Sequence, residues 1–90
     1  HVELVFTDSV ELKLICSNAF CSPEQSWMDQ SETEWVLVLR GSAQLRFQGD
    51  GGVMDLSPGD HLFIPPHRLH RVERSDPDPG TLWLALYWNA

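Results

Sequence analysis

Hydrophobic and polar residues alternate with a period of two along much of the chain. The clearest alternation covers residues 43–47, and a weaker one covers residues 2–6. Residues 10–16 alternate as well, with an apolar set that we assign to the buried face: Val10, Leu12, Leu14 and Cys16. Since successive side chains of a strand point to opposite faces, this pattern is typical of strands with one buried face. No segment keeps a helical period over ten residues, so the pattern predicts an all-β protein.

Two further segments, residues 35–39 and 82–88, are apolar at every position. This is typical of strands buried on both faces, as between two packed sheets. Turn-forming sequences separate the strands: residues 49–52 predict a hairpin, residues 57–60 a tight turn and residues 76–80 a rigid loop. Eight or nine short strands with frequent turns predict a sandwich or a barrel.

The length and composition of the chain indicate how many domains it forms and which classes of partner its charge disfavours. The 90 residues are 42% hydrophobic and include four tryptophans, enough for a single core, so we expect one domain spanning residues 1–90. The formal charge of −7 disfavours nucleic acid and acidic membrane surfaces, because both need clustered Lys and Arg. No run approaches the ~18 apolar residues of a membrane span. We therefore expect no nucleic-acid partner and no membrane partner.

The two cysteines, Cys16 and Cys21, are five residues apart, with no second pair. This spacing is neither that of a redox Cys-x-x-Cys motif nor that of half a zinc ribbon. A local disulfide and reduced thiols are both compatible with it, and reduced thiols fit a cytoplasmic protein. The start of the chain does not resemble a secretory leader. We therefore expect a cytoplasmic location.

Two stretches together resemble the two halves of the cupin signature. Residues 56–72 contain a Pro-Gly-Asp turn and a short apolar strand that ends in Ile-Pro, followed by His70. In residues 27–41, Glu34 precedes Gly41 by seven residues, as the cupin glutamate precedes its glycine. The resemblance implies a double-stranded β-helix, the jelly-roll barrel of the cupins, and the strands predicted on either side fit that fold.

The resemblance also implies a metal site in the mouth of the barrel. Metal-binding cupins usually carry His-x-His before the glutamate, whereas this chain has Trp27 and Asp29 at those positions. Glu34 and His70 are kept by type, and Asp29 offers a second carboxylate. With water completing the shell, these three residues would suit a divalent Fe, Mn, Zn or Ni ion. The predicted metal ligands are Asp29, Glu34 and His70, in a pocket that includes Trp27, Val36 and His67.

The residues themselves leave a metal-free pocket open as an alternative. Glu34 shares a strand face with Val36, so its carboxylate is costly to bury unless it is paired, protonated or bound to metal. Asp29 can instead cap a turn, and His70 can be an ordinary hydrogen-bonded barrel residue. The candidate ion-pair partners of Glu34 are Arg40, Arg46 and Arg68.

The remaining polar residues near the predicted mouth are also ambiguous. His67 can be a replacement ligand, a pocket acid or base, or a residue of the rim. We expect His61 to point outward, because it alternates with the apolar residues of its strand. Gln30 and Glu32 lie on the presumed mouth loop, where we expect them to be solvated.

The function that we favour is a small cupin-type protein that binds a divalent metal, a small molecule, or both in the barrel mouth, without an assigned activity. A metal-dependent oxygenase, isomerase or decarboxylase of a small molecule is one alternative, with His67 moving a proton. A metal-free structural domain that oligomerises through an exposed edge strand is another. The resemblance and the apolar strand at residues 83–88 further imply a homodimer.

Overall fold

The computed structural model describes residues 1–22, 26–49 and 52–89, and the regular elements within these ranges are all β-strands. The eight strands are β1 (Val2–Phe6), β2 (Val10–Ser17), β3 (Thr33–Arg40), β4 (Ala43–Phe47), β5 (Val53–Leu56), β6 (His61–Ile64), β7 (His70–Ser75) and β8 (Thr81–Trp88). The all-β prediction is confirmed. The predicted hairpin turn at Asp50-Gly51 lies outside the described residues. None of the described segments is a helix long and apolar enough to cross a membrane.

The strands form two antiparallel sheets. One sheet has five strands in the order β1-β2-β8-β3-β6, and the other has three in the order β5-β4-β7. Strands that are distant in the chain lie side by side, as β2 does with β8 and β4 does with β7. Two facing antiparallel sheets with such long-range pairings form the predicted jelly-roll barrel.

A hydrophobic core lies between the two sheets, and both contribute buried side chains to it. Its members are Val36, Val38, Ala43, Leu45, Phe47, Leu56, Ile64, Trp83 and Ala85. The alternation predicted for residues 43–47 is confirmed, since the three apolar residues of β4 are buried and the two polar ones are only half-buried. Burying a large apolar side chain of this kind contributes ~1.5–3 kcal/mol, so these positions are the main source of stability.

Strand β2 forms where the alternation predicts it, but its apolar set lies on the opposite face. Leu12 is paired with Leu86 and Leu14 with Leu84. Directly opposed residues of an antiparallel pair point to the same face of the sheet. In β8, Leu84 and Leu86 alternate with the core residues Trp83 and Ala85, so they point to the outer face. Ile15 is the β2 residue that packs against the core. The face assignment from sequence was therefore wrong, and the leucines of β2 point away from the barrel.

One end of the barrel is closed by a tight contact between two loops. Gly41 has a φ of 80°, and a Cβ atom at this position would lie 2.9 Å from the carbonyl oxygen of Gly80. Gly80 has a φ of 90°, and a Cβ atom there would lie 2.6 Å from the carbonyl oxygen of Ser17. Both positions therefore require glycine, for conformation and for space. The carboxylate of Asp76 accepts two hydrogen bonds of 2.9 Å from Ser42 and fixes the same loops.

Candidate functional site

A cavity of about 180 Å³ opens between the two sheets, towards the end of the barrel where β3 begins. Most of its wall is apolar and is formed by Ile15, Phe20, Met28, Val36, Leu45, Ile64, Val72, Trp83 and Ala85. The polar side chains of the lining are Ser17, Gln30, Glu34, His70 and Tyr87. The lining thus combines apolar walls with a few polar groups, which is the usual composition of a small-molecule site.

Glu34 and His70 meet at this cavity, and both are almost completely buried, with exposed fractions of 7% and 2%. Glu34 lies on the inner face of β3 because it alternates with Val36 and Val38, as the sequence predicts. His70 begins β7 on the facing sheet, and the backbone amides of His70 and Met28 each donate to the other's carbonyl oxygen. The two elements bring Oε1 of Glu34 to 3.8 Å from Nε2 of His70.

The orientation of His70 is fixed by its other ring nitrogen. Nδ1 lies 2.8 Å from the carbonyl oxygen of Arg68, which can only accept, so Nδ1 carries the hydrogen. In the neutral ring, Nε2 is then an acceptor that faces the Glu34 carboxylate. A separation of 3.8 Å is too long for a direct hydrogen bond between the two side chains. With the ring neutral, the site therefore presents two buried acceptor atoms, Oε1 of Glu34 and Nε2 of His70, with a gap of 3.8 Å between them.

Burial also changes the acidity of Glu34. Desolvation raises the pKa of its carboxyl above the ordinary value. Hydrogen bonds to the carboxylate, and the positive charge of His70 when its ring is protonated, act in the opposite direction. One hydrogen bond comes from the side-chain amide of Gln30, whose Nε2 donates to Oε1 over 3.0 Å. Another comes from the hydroxyl of Tyr87, which is directly opposite Glu34 in the β3–β8 pairing. Burial and the Glu34 charge in turn raise the pKa of Tyr87, so its hydroxyl keeps its hydrogen.

Asp29 is placed differently from the sequence prediction. Its Oδ1 lies 2.7 Å from Nδ1 of His67, and both side chains are more than half exposed. His67 adopts a φ of 60°, and its backbone amide donates to the carbonyl oxygen of Gln30 over 2.7 Å. Within the described ranges, no three His, Cys, Asp or Glu side chains group closely enough to hold a metal ion. Of the three predicted metal ligands, Glu34 and His70 therefore lie together, whereas Asp29 contacts His67.

Of the three pocket residues predicted from the sequence, one lines the cavity and two do not. Val36 lines the cavity, whereas Trp27 and His67 are not part of the lining that the described residues form. The ring of Trp27 instead lies 6.0 Å from the guanidinium of Arg71. His61 is exposed, as predicted, and its ring stacks obliquely on Trp35 at 5.9 Å.

Two residues of the candidate site, Gln30 and Tyr87, were not identified from the sequence. Gln30 was expected to be solvated, but it bonds Glu34 inside the cavity. Tyr87 was concealed by the strand that carries it, because β8 is apolar on both faces and alternation does not reveal its inner side. The signal that could have found it is its spacing of two and four residues from Ala85 and Trp83, if those are taken as core positions. The arginines proposed as partners of Glu34 have other contacts: Arg40 donates to Pro79, Arg46 to Glu73 and Arg68 to Gln48.

The fold and the site together define a small β-barrel with a buried Glu–His pair at its open end. The family model of the cupin domain matches residues 22–87 of the chain. The chain therefore belongs to the cupin family, in agreement with the sequence prediction.

Solved structures agree with this assignment. A protein from Ralstonia eutropha JMP134, provisionally described as a mannose-6-phosphate isomerase, is 36% identical, with a TM-score of 0.94 over 99% of this chain and 82% of its own. A cupin superfamily protein from Desulfitobacterium hafniense DCB-2 is 22% identical, with a TM-score of 0.81 over 99% of this chain and 75% of its own. An RmlC-like cupin from Shewanella frigidimarina NCIMB 400 is 20% identical, with a TM-score of 0.77 over 98% and 73%. No curated protein matches the chain.

Proposed function

We propose that this cupin barrel binds a small, uncharged or cationic organic molecule, with a hydrogen-bond donor of that molecule placed between Glu34 and His70. The observation that carries the proposal is the pair of buried acceptors, 3.8 Å apart, at the wall of an otherwise apolar cavity. Oε1 of Glu34 already accepts from Gln30 but can accept a second hydrogen bond, so an N–H or O–H donor of the ligand can reach Oε1 and Nε2 of His70 together. The apolar walls would then hold the body of the molecule.

The size of the cavity limits the size of the ligand. Its volume of about 180 Å³ is similar to that of a ~150 Å³ protein cavity that holds benzene. The expected ligand therefore has roughly six to ten non-hydrogen atoms if it is fully enclosed. The site is one of binding in this proposal, and no reaction is assigned to it.

The charge of the cavity argues against an anionic ligand. The described lining contains the carboxylate of Glu34 and neither Lys nor Arg, and the whole chain carries a formal charge of −7. Recognition of a phosphate relies on cationic side chains or on a helix N-terminus. The described lining supplies neither, so we do not extend the sugar-phosphate activity suggested for the Ralstonia protein to this chain.

Two probes of similar shape and opposite charge test this proposal. Benzylamine carries a cationic donor on an apolar ring, and benzoate carries an anion on the same ring. We expect ligand-observed NMR to detect benzylamine binding to the wild type, a loss of roughly tenfold or more in affinity with Glu34→Gln, and no binding of benzoate. Asp55→Asn removes an exposed carboxylate and should leave the affinity unchanged. Preferential binding of benzoate, or equal binding of benzylamine to Glu34→Gln, would refute the proposal.

A second candidate function is the binding of a divalent metal by Glu34 and His70. Two ligand atoms at ~2.1 Å from one ion lie roughly 3.0–4.2 Å apart, depending on the angle at the ion, and the observed 3.8 Å falls within this range. These two residues are only half of a usual protein shell, so water or ligand atoms would have to complete it. Metal analysis of protein prepared without chelator, and melting with added Fe, Mn, Zn or Ni, test this candidate against Glu34→Gln and His70→Ala.

A further inference from the structure

The cavity has a second polar group at the end opposite the buried Glu–His pair. Ser17 is the last residue of β2 and lies directly opposite Thr81 at the start of β8. Glu34 lies opposite Tyr87, near the other end of β8. Ser17 and Glu34 both line the cavity, and the carbonyl oxygen of Ser17 takes part in the loop contact that closes this end of the barrel. The cavity therefore extends from the open end of the barrel to the closed end.

The hydroxyl of Ser17 is only partly used by the protein. Its Oγ accepts a hydrogen bond of 3.2 Å from the indole Nε1 of Trp83. Trp83 is 5% exposed, so this bond satisfies a buried donor. A serine hydroxyl also has a hydrogen of its own to donate. Within the described residues, the bond from Trp83 is the only one that this hydroxyl makes. One donor at the closed end is therefore available to a ligand.

The wall between the two polar ends is apolar. It includes Ile15 of β2, Val72 of β7 and Ala85 of β8. Apart from Ser17, the polar side chains of the described lining all lie around the carboxylate at the open end. An apolar stretch with a polar group at each end matches a chain-like molecule that has the same arrangement.

The pairing register gives the length of this molecule. Trp83, which contacts the serine, and Tyr87, which contacts the glutamate, are four residues apart on β8. At ~3.3 Å per residue they are separated by roughly 13 Å. A hydrogen bond of ~2.9 Å at each end leaves roughly 7 Å between the two polar atoms of the ligand. An extended chain advances ~1.2 Å per bond, as the protein backbone does, so about six bonds span this distance.

We infer that the ligand of this cavity is an unbranched amino alcohol of about five carbons, and that Ser17 donates a hydrogen bond to its terminal oxygen. The inference rests on the proposed function, in which the amine lies between Glu34 and His70. Five carbons between the nitrogen and the oxygen give the required six bonds. Such a molecule also fits the limit set by the cavity volume of about 180 Å³.

The test compares pentylamine with the aminopentanol that carries a hydroxyl at the opposite end of the same chain. Isothermal titration gives the ratio of their affinities for the wild type, Ser17→Ala and Ser57→Ala. Ser57 is an exposed turn residue outside the cavity lining, so its substitution is the matched loss of a serine hydroxyl. Because damage to packing around Trp83 would weaken both probes alike, the ratio isolates the hydrogen bond. We expect the aminopentanol-to-pentylamine ratio to fall roughly fivefold in Ser17→Ala and to stay unchanged in Ser57→Ala.

A second measurement needs no variant. In the wild type, the terminal hydroxyl should favour binding at least severalfold more on the five-carbon amine than on propylamine, because the shorter chain does not reach Ser17. Equal effects at the two lengths would overturn the inference, even if Ser17→Ala did not fold.

The same titrations distinguish failure of this inference from failure of the proposed function. If pentylamine binds in a Glu34-dependent way but the ratio is the same in Ser17→Ala as in the wild type, only the role of Ser17 is overturned. Its hydroxyl then serves only to satisfy Trp83. If pentylamine does not bind, or binds Glu34→Gln as tightly as the wild type, the proposed function fails and this inference fails with it.

Discussion

Two carboxylate–histidine pairs lie at the open end of the barrel, and they contain the same chemical groups in opposite settings. Glu34 and His70 are buried, with 3.8 Å between their nearest polar atoms. Asp29 and His67 are more than half exposed and form a contact of 2.7 Å. The shorter contact contributes little to stability, because exposed pairs contribute only ~0–1 kcal/mol. Burial, rather than distance, therefore determines which pair can affect stability and ligand binding.

The difference follows from where the chain places each residue. The inner faces of β3 and β7 fix Glu34 and His70, and neighbouring side chains limit their positions. The exposed pair depends on loop backbone, including the positive φ of His67. Substitutions at the buried pair should therefore alter stability and ligand binding, whereas those at the exposed pair should alter little.

The largest effect is expected for His70→Ala. His70 is 2% exposed, its Nδ1 donates to the carbonyl oxygen of Arg68, and its ring centroid lies 6.2 Å from that of Phe47. Its removal leaves a cavity beside the Glu34 carboxylate, so we expect a loss of about 3 kcal/mol in the free energy of unfolding, measured in urea. His67→Ala is the matched control and should cost less than about 1 kcal/mol. Similar losses for the two variants would remove the distinction between the pairs.

The next effect is expected for Tyr87→Phe. Its hydroxyl donates to the Glu34 carboxylate and helps to lower the pKa of that group. Without this donor, the charged form of Glu34 is less stable, so we expect a loss of about 1.5 kcal/mol at about pH 8 and a smaller loss at about pH 4. In a Glu34→Gln background the pH dependence of the loss should vanish. A loss that is the same at both pH values would show that packing, and not the hydrogen bond, is responsible.

A smaller effect of opposite sign is expected for Glu34→Gln. Because burial raises the pKa of Glu34, the folded protein holds this proton more tightly than the unfolded chain does. Stability is therefore greatest below the unfolded-state pKa and falls as the pH rises through the folded-state pKa. In chelator-containing buffer, Glu34→Gln should be more stable than the wild type by about 1 kcal/mol at about pH 8, and not at about pH 4. A destabilised variant at the higher pH would mean that the charged carboxylate is well solvated.

The fold could be predicted from the sequence because period-two alternation and turn residues directly encode strands. The residues of β4 illustrate this, with Ala43, Leu45 and Phe47 buried as predicted. Alternation shows that two faces of a strand differ, but it does not show which face is inside. The leucines of β2, Leu12 and Leu14, were placed in the core for that reason, although they lie outside.

The candidate site could be predicted only in part, for a similar reason. Glu34 was placed correctly beside Val36, because strand geometry alone determines which residues share a face. The contact between Asp29 and His67 depends on a loop whose path no periodic pattern encodes. The hydrogen bonds that Gln30 and Tyr87 make to Glu34 depend on tertiary pairing across the barrel. Sequence patterns thus predict where residues on strands point, but they do not predict contacts made by loops or between strands that are distant in the chain.

The smallest effect is expected for Asp29→Ala. This variant tests most directly whether the exposed pair is independent of the site formed by Glu34 and His70. The contact in which Asp29 accepts from the ring of His67 is solvent-exposed, so its loss should lower the free energy of unfolding by less than about 0.5 kcal/mol. Benzylamine affinity and any metal content should equal those of the wild type, because Asp29 contacts His67 and does not group with Glu34 and His70 among the described residues. Isothermal titration and metal analysis check both quantities. If Asp29→Ala instead lost a metal that the wild type retains, Asp29 would be a ligand after all, and the two pairs would act as one site.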